Sequence, residues 1–359
     1  MEMILVEDCC EILDSKRIPI TAKDRIPGPY PYYGANGIQD YVDNYIFDDE
    51  LVLLAEDGGN FGSTEKPIAY RVSGKCWVNN HAHVLKPKQG IDVDYLCYSL
   101  MFYDTSGLVN GATRQKLTQS TLKKMCIPKR TVKQQLQIVQ ELNIIKKLIT
   151  ARQQELQKLD DLIKARFVEM FGNGHDGFCN TKKLGEFCKF QQGTQIPVEE
   201  QIEEQLEGYT RFLRIIDYTQ APQIPRYVSV KGREIAEDSV VIVRYGATAG
   251  FVGHGYAGIL ANNLFEVVPD ESILSKDFLY LALKYGTFEQ EVHDKAFGAA
   301  MPALSFGMMN DIGVVTPNST AQNGFIDFVK QVDKSKATVQ KALDETQLLF
   351  DSLMQQYFG

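Results

Sequence analysis

Residues 129–171 read KRTVKQQLQIVQELNIIKKLITARQQELQKLDDLIKARFVEMF, a run with no glycine or proline. Apolar side chains recur in it at heptad spacing. One column is Ile138, Ile145, Arg152, Leu159 and Arg166; the other is Leu142, Ile149, Leu156, Ile163 and Met170. The segment 325–358 repeats the pattern at an offset of 187, with Phe325, Val332, Val339, Thr346 and Leu353 in one column. The other holds Val329, Lys336, Leu343, Phe350 and Tyr357. The spacing predicts two long helices, each ~40 residues and about 60 Å at ~1.5 Å per residue. Two such stripes in one chain bury each other most simply as a coiled coil; the alternative is two separate amphipathic helices on globular cores. Arg152, Arg166, Lys336 and Thr346 interrupt the seams and need snorkelling stems or extra partners.

Outward from the helices, the rest of the chain repeats too. EDCCEILDSKRIPI (7–20) runs ungapped over GEFCKFQQGTQIPV (185–198), with Cys10 over Cys188, Ile18 over Ile196 and Pro19 over Pro197. WVNNHAHVL (77–85) resembles ILANNLFEVV (259–268), with Asn79-Asn80 placed over Asn262-Asn263. Gly111-Ala112 falls over Gly298-Ala299, Leu117-Thr118 over Leu304-Ser305, and both halves end in Phe-Gly. Several matches in one order indicate a duplication. Short β-like runs such as Leu51–Leu54, Ile68–Val72, Val240–Val243 and Leu264–Val268 precede helical patterns near Tyr95–Phe102 and Phe278–Tyr285. The fold class is therefore α+β: mixed segments 1–128 and 173–317 (the latter including a linker), alternating with long helices 129–172 and 318–359.

The chain has 359 residues, with 38 Lys+Arg against 46 Asp+Glu, a net charge of −8. The sum argues against a polyanionic partner until it is divided. Segment 1–128 has 13 basic and 17 acidic residues, but 129–172 has 9 and 5, so a basic excess sits on the first long helix. Segment 173–316 has 12 and 19, and the tail has 4 and 5. The acidic run Glu199, Glu200, Glu203, Glu204 and Glu207 reads as a solvated face. Seven cysteines without a CxxC spacing argue against a disulfide framework or zinc ribbon. No signal-peptide pattern or apolar span is present, so a cytoplasmic protein is expected.

Catalytic motifs are missing. A literal GxGxxG at Gly172–Gly177 follows a helix rather than a strand, and reads as a helix cap and linker. There is no Walker A, HExxH, GxSxG or Pro-Pro pair. Cys76, His81 and His83 lack a fourth ligand. The two histidines alternate on an expected strand and read as a DNA-facing or surface pair rather than a metal site. No catalytic residue and no metal is assigned.

Two variable mixed segments separated by two long helical repeats resemble the specificity subunit of type I restriction-modification systems, over nearly the whole chain. The carriers are YPYYGANGIQDYV (30–42), DELVLLAEDGGNFGS (49–63), WVNNHAHVLKP (77–87) and NGATRQKLTQSTLKKMCIP (110–128) in the first half. In the second they are FLRIIDY (212–218), DSVVIVRYGATAG (238–250), GILANNLFEVVPD (258–270), DFLYLAL (277–283) and FGAAMPALSFGMMNDIGVVTP (297–317). The family usually begins each long helix with Pro and then Glu-Gln; this chain has Gln134-Gln135 and, departing further, Ala321-Gln322.

The resemblance implies a non-catalytic subunit with two target recognition domains, each reading half of a bipartite double-stranded DNA site. The helices would form an antiparallel coiled coil that sets the spacing and docks two modification subunits. Those subunits would carry S-adenosylmethionine, and restriction subunits would use ATP. No cofactor is expected on this chain, and no membrane partner. The seam residues would be Ile138, Leu142, Ile145, Ile149, Leu156, Leu159 and Ile163 against Val329, Val332, Val339, Leu343, Phe350 and Leu353. A scaffold that binds another ligand is the alternative.

Base reading needs amide, guanidinium and aromatic groups at groove edges. In the first domain the candidates are Tyr32, Tyr33, Asn36, Gln39, Asn80, His81, Arg114, Gln115 and Lys116, with Gly34 and Gly37 letting the backbone approach the duplex. Arg114 and Lys116 are the only charges between Thr105 and Leu122. In the second domain they are Arg211, Arg214, Tyr218, Arg244, Tyr245, Thr248, Asn263 and Met301. Tyr32 and Tyr33 are equally compatible with packing, and Gly246–Gly250 with a tight turn.

Overall fold

The computed structural model describes residues 2–111, 115–172, 179–220, 223–296 and 303–359, without the side chains of 294–296. It divides into two compact units. Unit 1 is Met1–Gln153 with Lys341–Gly359, and unit 2 is Gln154–Gln340. The long helices are Val132–Phe171 and Ser319–Phe358, 40 residues each, so each unit takes part of both helices.

Unit 1 is built on a six-stranded sheet. Its order is Cys10–Ile12, Ala82–Pro87, Phe47–Ala55, Ala69–Val78, Pro27–Gly34 and Gly37–Val42. The strand Ala69–Val78 is shared: its first eight residues pair antiparallel with Phe47–Ala55, and Trp77 and Val78 run parallel to Tyr32 and Tyr33. The run Leu51–Ala55 is wholly buried, as expected for a strand covered on both faces. The helix Val93–Met101 covers it, started by Asp92, whose side chain accepts the Tyr95 N–H.

Unit 2 repeats the plan with a divided sheet. One four-stranded sheet has the order Cys188–Gln192, Leu264–Pro269, Val240–Val243 and Val252–Gly253; a second holds Arg226–Val228, Thr210–Leu213, Gly258–Leu260 and Glu234–Ile235. The covering helix Lys276–Tyr285 is capped by Ser275. In both units a two-stranded ladder precedes the long helix: Met3–Leu5 with Cys126–Pro128, and Thr181–Lys183 with Gly313–Val315.

Within unit 1 the long helices run antiparallel. Tyr357 donates to Glu141, and Arg152 reaches the Ala342 carbonyl. Ile138, Leu142 and Ile145 share a core with Phe350, with Ile149 and Leu353 packed at its edge. Unit 2 shows the same sense. Lys336 meets Asp160 at 2.6 Å, the Arg166 guanidinium lies 6.0 Å from the Phe328 ring centroid, and Ile163 shares a core with Val329 and Val332. Leu156, Leu159, Val339 and Leu343 are half-buried. Three of the four interruptions are thus partnered across the helix pair, as long stems permit. Thr346 returns its hydroxyl to the Ala342 carbonyl.

Each long helix is rooted by a buried glutamine. Gln135 accepts the Asp92 N–H at 2.7 Å and donates to the carbonyls of Gly90 and Arg130 at 3.0 and 2.9 Å. Gln322 accepts from Ser275 at 3.1 Å and donates to Ile273 and Pro317, both at 2.9 Å. The departures from the family pattern fall on the preceding residues and leave this contact intact. The first helix stops at Phe171, where Gly172 takes φ 71° and its N–H bonds the Val168 carbonyl. Among the described residues no helix is long and apolar enough to cross a membrane. The acidic run Glu199–Glu207 is exposed where it was expected to be solvated.

Candidate nucleic-acid interface

In unit 1 three loops meet beside the end of the strand Phe47–Ala55. His81 accepts the Glu56 N–H at its carbonyl, 2.9 Å, and the Leu117 N–H reaches the Glu56 carbonyl at 2.7 Å. Asp57 and Lys116 form an antiparallel bridge, and Gly58 N–H bonds the Gln115 carbonyl at 3.2 Å. Asn36 closes the group by donating to Gly58 at 3.0 Å. Gln39 accepts from Asn79 at 3.1 Å, and Asn79 in turn accepts the His81 N–H at 2.8 Å. Asn36, Gln39, Asn80, Gln115 and Lys116 are exposed there, and His81 is half-buried. Six of the nine first-domain candidates therefore share one edge.

Of the remaining three, Tyr32 and Tyr33 do not reach out there. Arg114 lies outside the described residues. Tyr32 is a correction: it is 1% exposed, its hydroxyl bonded to Ile20 and the Arg25 guanidinium 4.3 Å from its ring centroid, so it packs instead of reaching out. Tyr33 is half-buried against Tyr70, and burial raises its hydroxyl above the usual phenol range. Gly34 is also corrected. It is buried, and a Cβ there would meet the amide end of the Gln39 side chain, so the space beside its backbone is filled by this chain instead of standing open to a duplex.

The histidine pair is a further correction. His81 Nδ1 lies 2.6 Å from Asp57. His83 is fully buried, with Nδ1 2.6 Å from Asp14 and Nε2 2.9 Å from the Leu117 carbonyl. The interior offers both ring nitrogens partners, which is why this imidazole can leave the surface. Cys76 is not among its neighbours. Asp14, Glu56 and His83 are the one group with metal-like spacing among the described residues. Arg17 sits 2.5 Å from Glu56 and 3.5 Å from Asp14, and Lys116 lies 3.1 Å from Glu56. Cations of the protein thus occupy the carboxylates, and the set does not suit a metal ion.

Unit 2 builds the same edge from other residues. The Arg244 N–H bonds the Asn263 carbonyl at 2.9 Å, and the Leu304 N–H the Arg244 carbonyl at 2.9 Å; Tyr245 bridges Ala303. These repeat Glu56–His81, Leu117–Glu56 and Asp57–Lys116 bond for bond. Strand pairing fixes the correspondence, since Ala55 faces Ala82 as Val243 faces Leu264. Asn262-Asn263 therefore match Asn80-His81, one residue along from the Asn79-Asn80 alignment. Arg244 donates to Gln192 at 2.6 Å, and Gln192 to the Asn262 carbonyl at 3.1 Å. Tyr245 and Thr248 are exposed, while Asn263 is half-buried with its Oδ1 unbonded.

Arg211, Arg214 and Tyr218 form a separate group. Arg214 pairs with Asp217 at 3.0 Å, Arg211 lies 3.8 Å from the same carboxylate, and Tyr218 packs on Tyr256, its hydroxyl pushed up by burial. Met301 lies outside the described residues. Periodicity missed Asp14, Arg17 and Glu56, and Gln192 and Gln195 opposite them. The signal was in the ungapped repeat, which places Asp14 over Gln192 and Arg17 over Gln195.

Residues 1–160 and 179–346 match the family of the type I restriction modification DNA specificity domain. The chain belongs to this family. A putative type I restriction enzyme specificity subunit of Haemophilus influenzae is 35% identical over 140 residues, 39% of this chain and 36% of that protein. The MjaVIII type I restriction enzyme specificity subunit of Methanocaldococcus jannaschii is 22% identical over 194 residues, 54% of this chain and 44% of that protein. The matched stretches thus span less than half the length of either relative. Among solved structures, a type I restriction-modification S subunit from M. genitalium gives a TM-score of 0.57 at 17% identity, covering 100% of this chain and 96% of that one. A chain from a study of complex assembly and conformational transition of the type I system gives 0.59 at 15%, covering 99% and 97%. These two structures share the fold: two mixed α+β repeats with long helices.

Proposed function

We propose that this chain is the DNA-specificity subunit of a type I restriction-modification complex, without catalytic chemistry of its own. Each unit reads one half of a bipartite double-stranded site. One observation carries the reading: in a DNA-specificity family, the two units present the same loop edge with different side chains. Asn36, Gln39, Asn80, His81, Gln115 and Lys116 stand on one, and Arg244, Tyr245, Thr248 and Asn263 on the other. Common backbone bonds fix the edge, and the variable groups are amides, cations and an aromatic that suit base edges and phosphates.

The long helices act as a rigid spacer, so their length sets the gap between half-sites, since groove faces recur every ~34–36 Å. Two modification subunits dock on them and bring S-adenosylmethionine and adenine-N6 methylation; restriction subunits bring ATP-driven translocation and cleavage. The complex works in the cytoplasm. Purified alone, the chain should transfer no methyl group, and it should gain that activity with a modification subunit. Methyl transfer by the isolated chain would sink the proposal. Failure to co-purify with a methyltransferase would favour a scaffold for another ligand.

A further inference from the structure

Arg244 stands where unit 1 has Glu56, and its main chain is clamped on both sides. Its N–H donates to the Asn263 carbonyl at 2.9 Å, and its own carbonyl accepts the Leu304 N–H at 2.9 Å. The side chain is held as well. Nε donates to the Leu304 carbonyl at 3.2 Å, and Nη1 to Gln192 Oε1 at 2.6 Å. The ring centroids of Tyr245 and Phe306 lie 4.9 and 5.4 Å from the guanidinium carbon. Two engaged nitrogens and two flanking rings fix both the place of the guanidinium and its plane.

What remains of the group faces outward. Nη2 bonds nothing among the described residues and stays open to solvent, and no carboxylate among them pairs with Arg244. Gln192 commits its Nε2 to the Asn262 carbonyl at 3.1 Å, so its amide is satisfied at both ends and only aims the arginine. A guanidinium carries N–H donors and no acceptor, so this point of the edge offers donors alone. In unit 1 the corresponding Glu56 is closed off, its two oxygens held by Arg17 at 2.5 Å and Lys116 at 3.1 Å. In the major groove guanine presents two acceptors, O6 and N7. Adenine sets a donor beside its N7, thymine a methyl group beside its O4, and cytosine presents a donor. A phosphate also accepts, but a mobile lysine meets it as well as a fixed fork does, whereas telling O6 and N7 from their neighbours needs the plane to be held.

We infer that Arg244 is a specificity-determining residue of unit 2 that reads a guanine at O6 and N7 in the major groove, and that Gln192 is the positioning residue that aims it. The inference rests on the proposed function and goes further, naming one base of one half-site and the side chain that selects it.

The chain assembled with the proposed modification subunits tests this, by binding to duplexes in which each base pair of the unit 2 half-site is exchanged in turn. That half-site is the one that changes when segment 179–317 is replaced. One guanine should stand out. Its exchange for adenine, or for 7-deazaguanine, which lacks the N7 acceptor, should weaken binding about tenfold. Arg244→Lys keeps the charge but not the planar fork, and should level that preference while the salt slope and the preferences of the other half-site persist. Gln192→Leu keeps the guanidinium and should shrink the same preference, with Leu304 amide exchange reporting that the edge is still folded. Base preferences that survive both variants overturn the inference. So does an Arg244→Ala variant that weakens every sequence equally and lowers the salt slope by about one unit, the sign of a phosphate contact. A complex that reads no bipartite site overturns the proposed function together with this inference, whereas a bipartite site indifferent to Arg244 overturns this inference alone.

Discussion

Gln135 and Gln322 stand 187 residues apart and make the same three hydrogen bonds, one accepted and two donated. Replacing Gln135 by Leu strands the Asp92 N–H and two carbonyls in the interior. The expected loss is roughly 1–3 kcal/mol, read as a lower midpoint of thermal unfolding; an unchanged midpoint would mean that water satisfies these groups. Asp14 gives a pH prediction of definite sign. Its carboxyl is held below the ordinary range in the folded chain, so its stabilisation is complete above the unfolded value of about 4 and disappears as pH falls through the folded one. Val84 amide protection, corrected for intrinsic rate, should therefore drop in acid, and Asp14→Asn should flatten the profile. Lys116 is half exposed although paired with Glu56, so Lys116→Ala in the assembled complex should lower the salt slope of DNA binding by about one unit. An unchanged slope would place it off the phosphates.

At the scale of elements, most of the architecture was legible. The absence of glycine and proline and the heptad columns located both long helices. The 187-residue offset holds to the residue, since Val132–Phe171 and Ser319–Phe358 begin and end in step. Strand faces were less legible. Alternation tells which side chains share a face, not what covers that face, so Tyr32 and His83 read as outward although Ile20, Asp14 and Leu117 enclose them. The paired asparagines misaligned by one because identity alone scored them, whereas strand pairing sets the true register. Seam energetics should follow burial. Phe167 packs among Phe171, Phe278 and Phe325, and Phe167→Ala should cost about 3–5 kcal/mol. Lys336→Ala breaks a partly exposed pair and should cost about 1 kcal/mol or less. Equal losses in denaturant titration would show that the ion pair matters as much as the core.

For the whole molecule, the net charge of −8 now has a place as well as a sum. Cations at the two edges are engaged internally, Arg17 and Lys116 by Glu56 and Arg244 by Gln192, and Arg214 in its separate group is engaged by Asp217. The free chain should accordingly bind DNA weakly, with partner subunits supplying much of the phosphate contact; tight, salt-insensitive binding by the chain alone would count against this. Duplication supplies two edges of common construction, and under the proposed function divergence of their side chains would let them read different half-sites. The most direct test is to sequence methylated adenines in cells that carry the chain with the proposed modification subunit, before and after segment 179–317 is replaced by that of another family member. The expected result is a bipartite methylated site in which one half changes and the other half and the spacer persist. A site that changes in both halves, or methylation that ignores the exchange, would contradict two independent half-site readers in one chain.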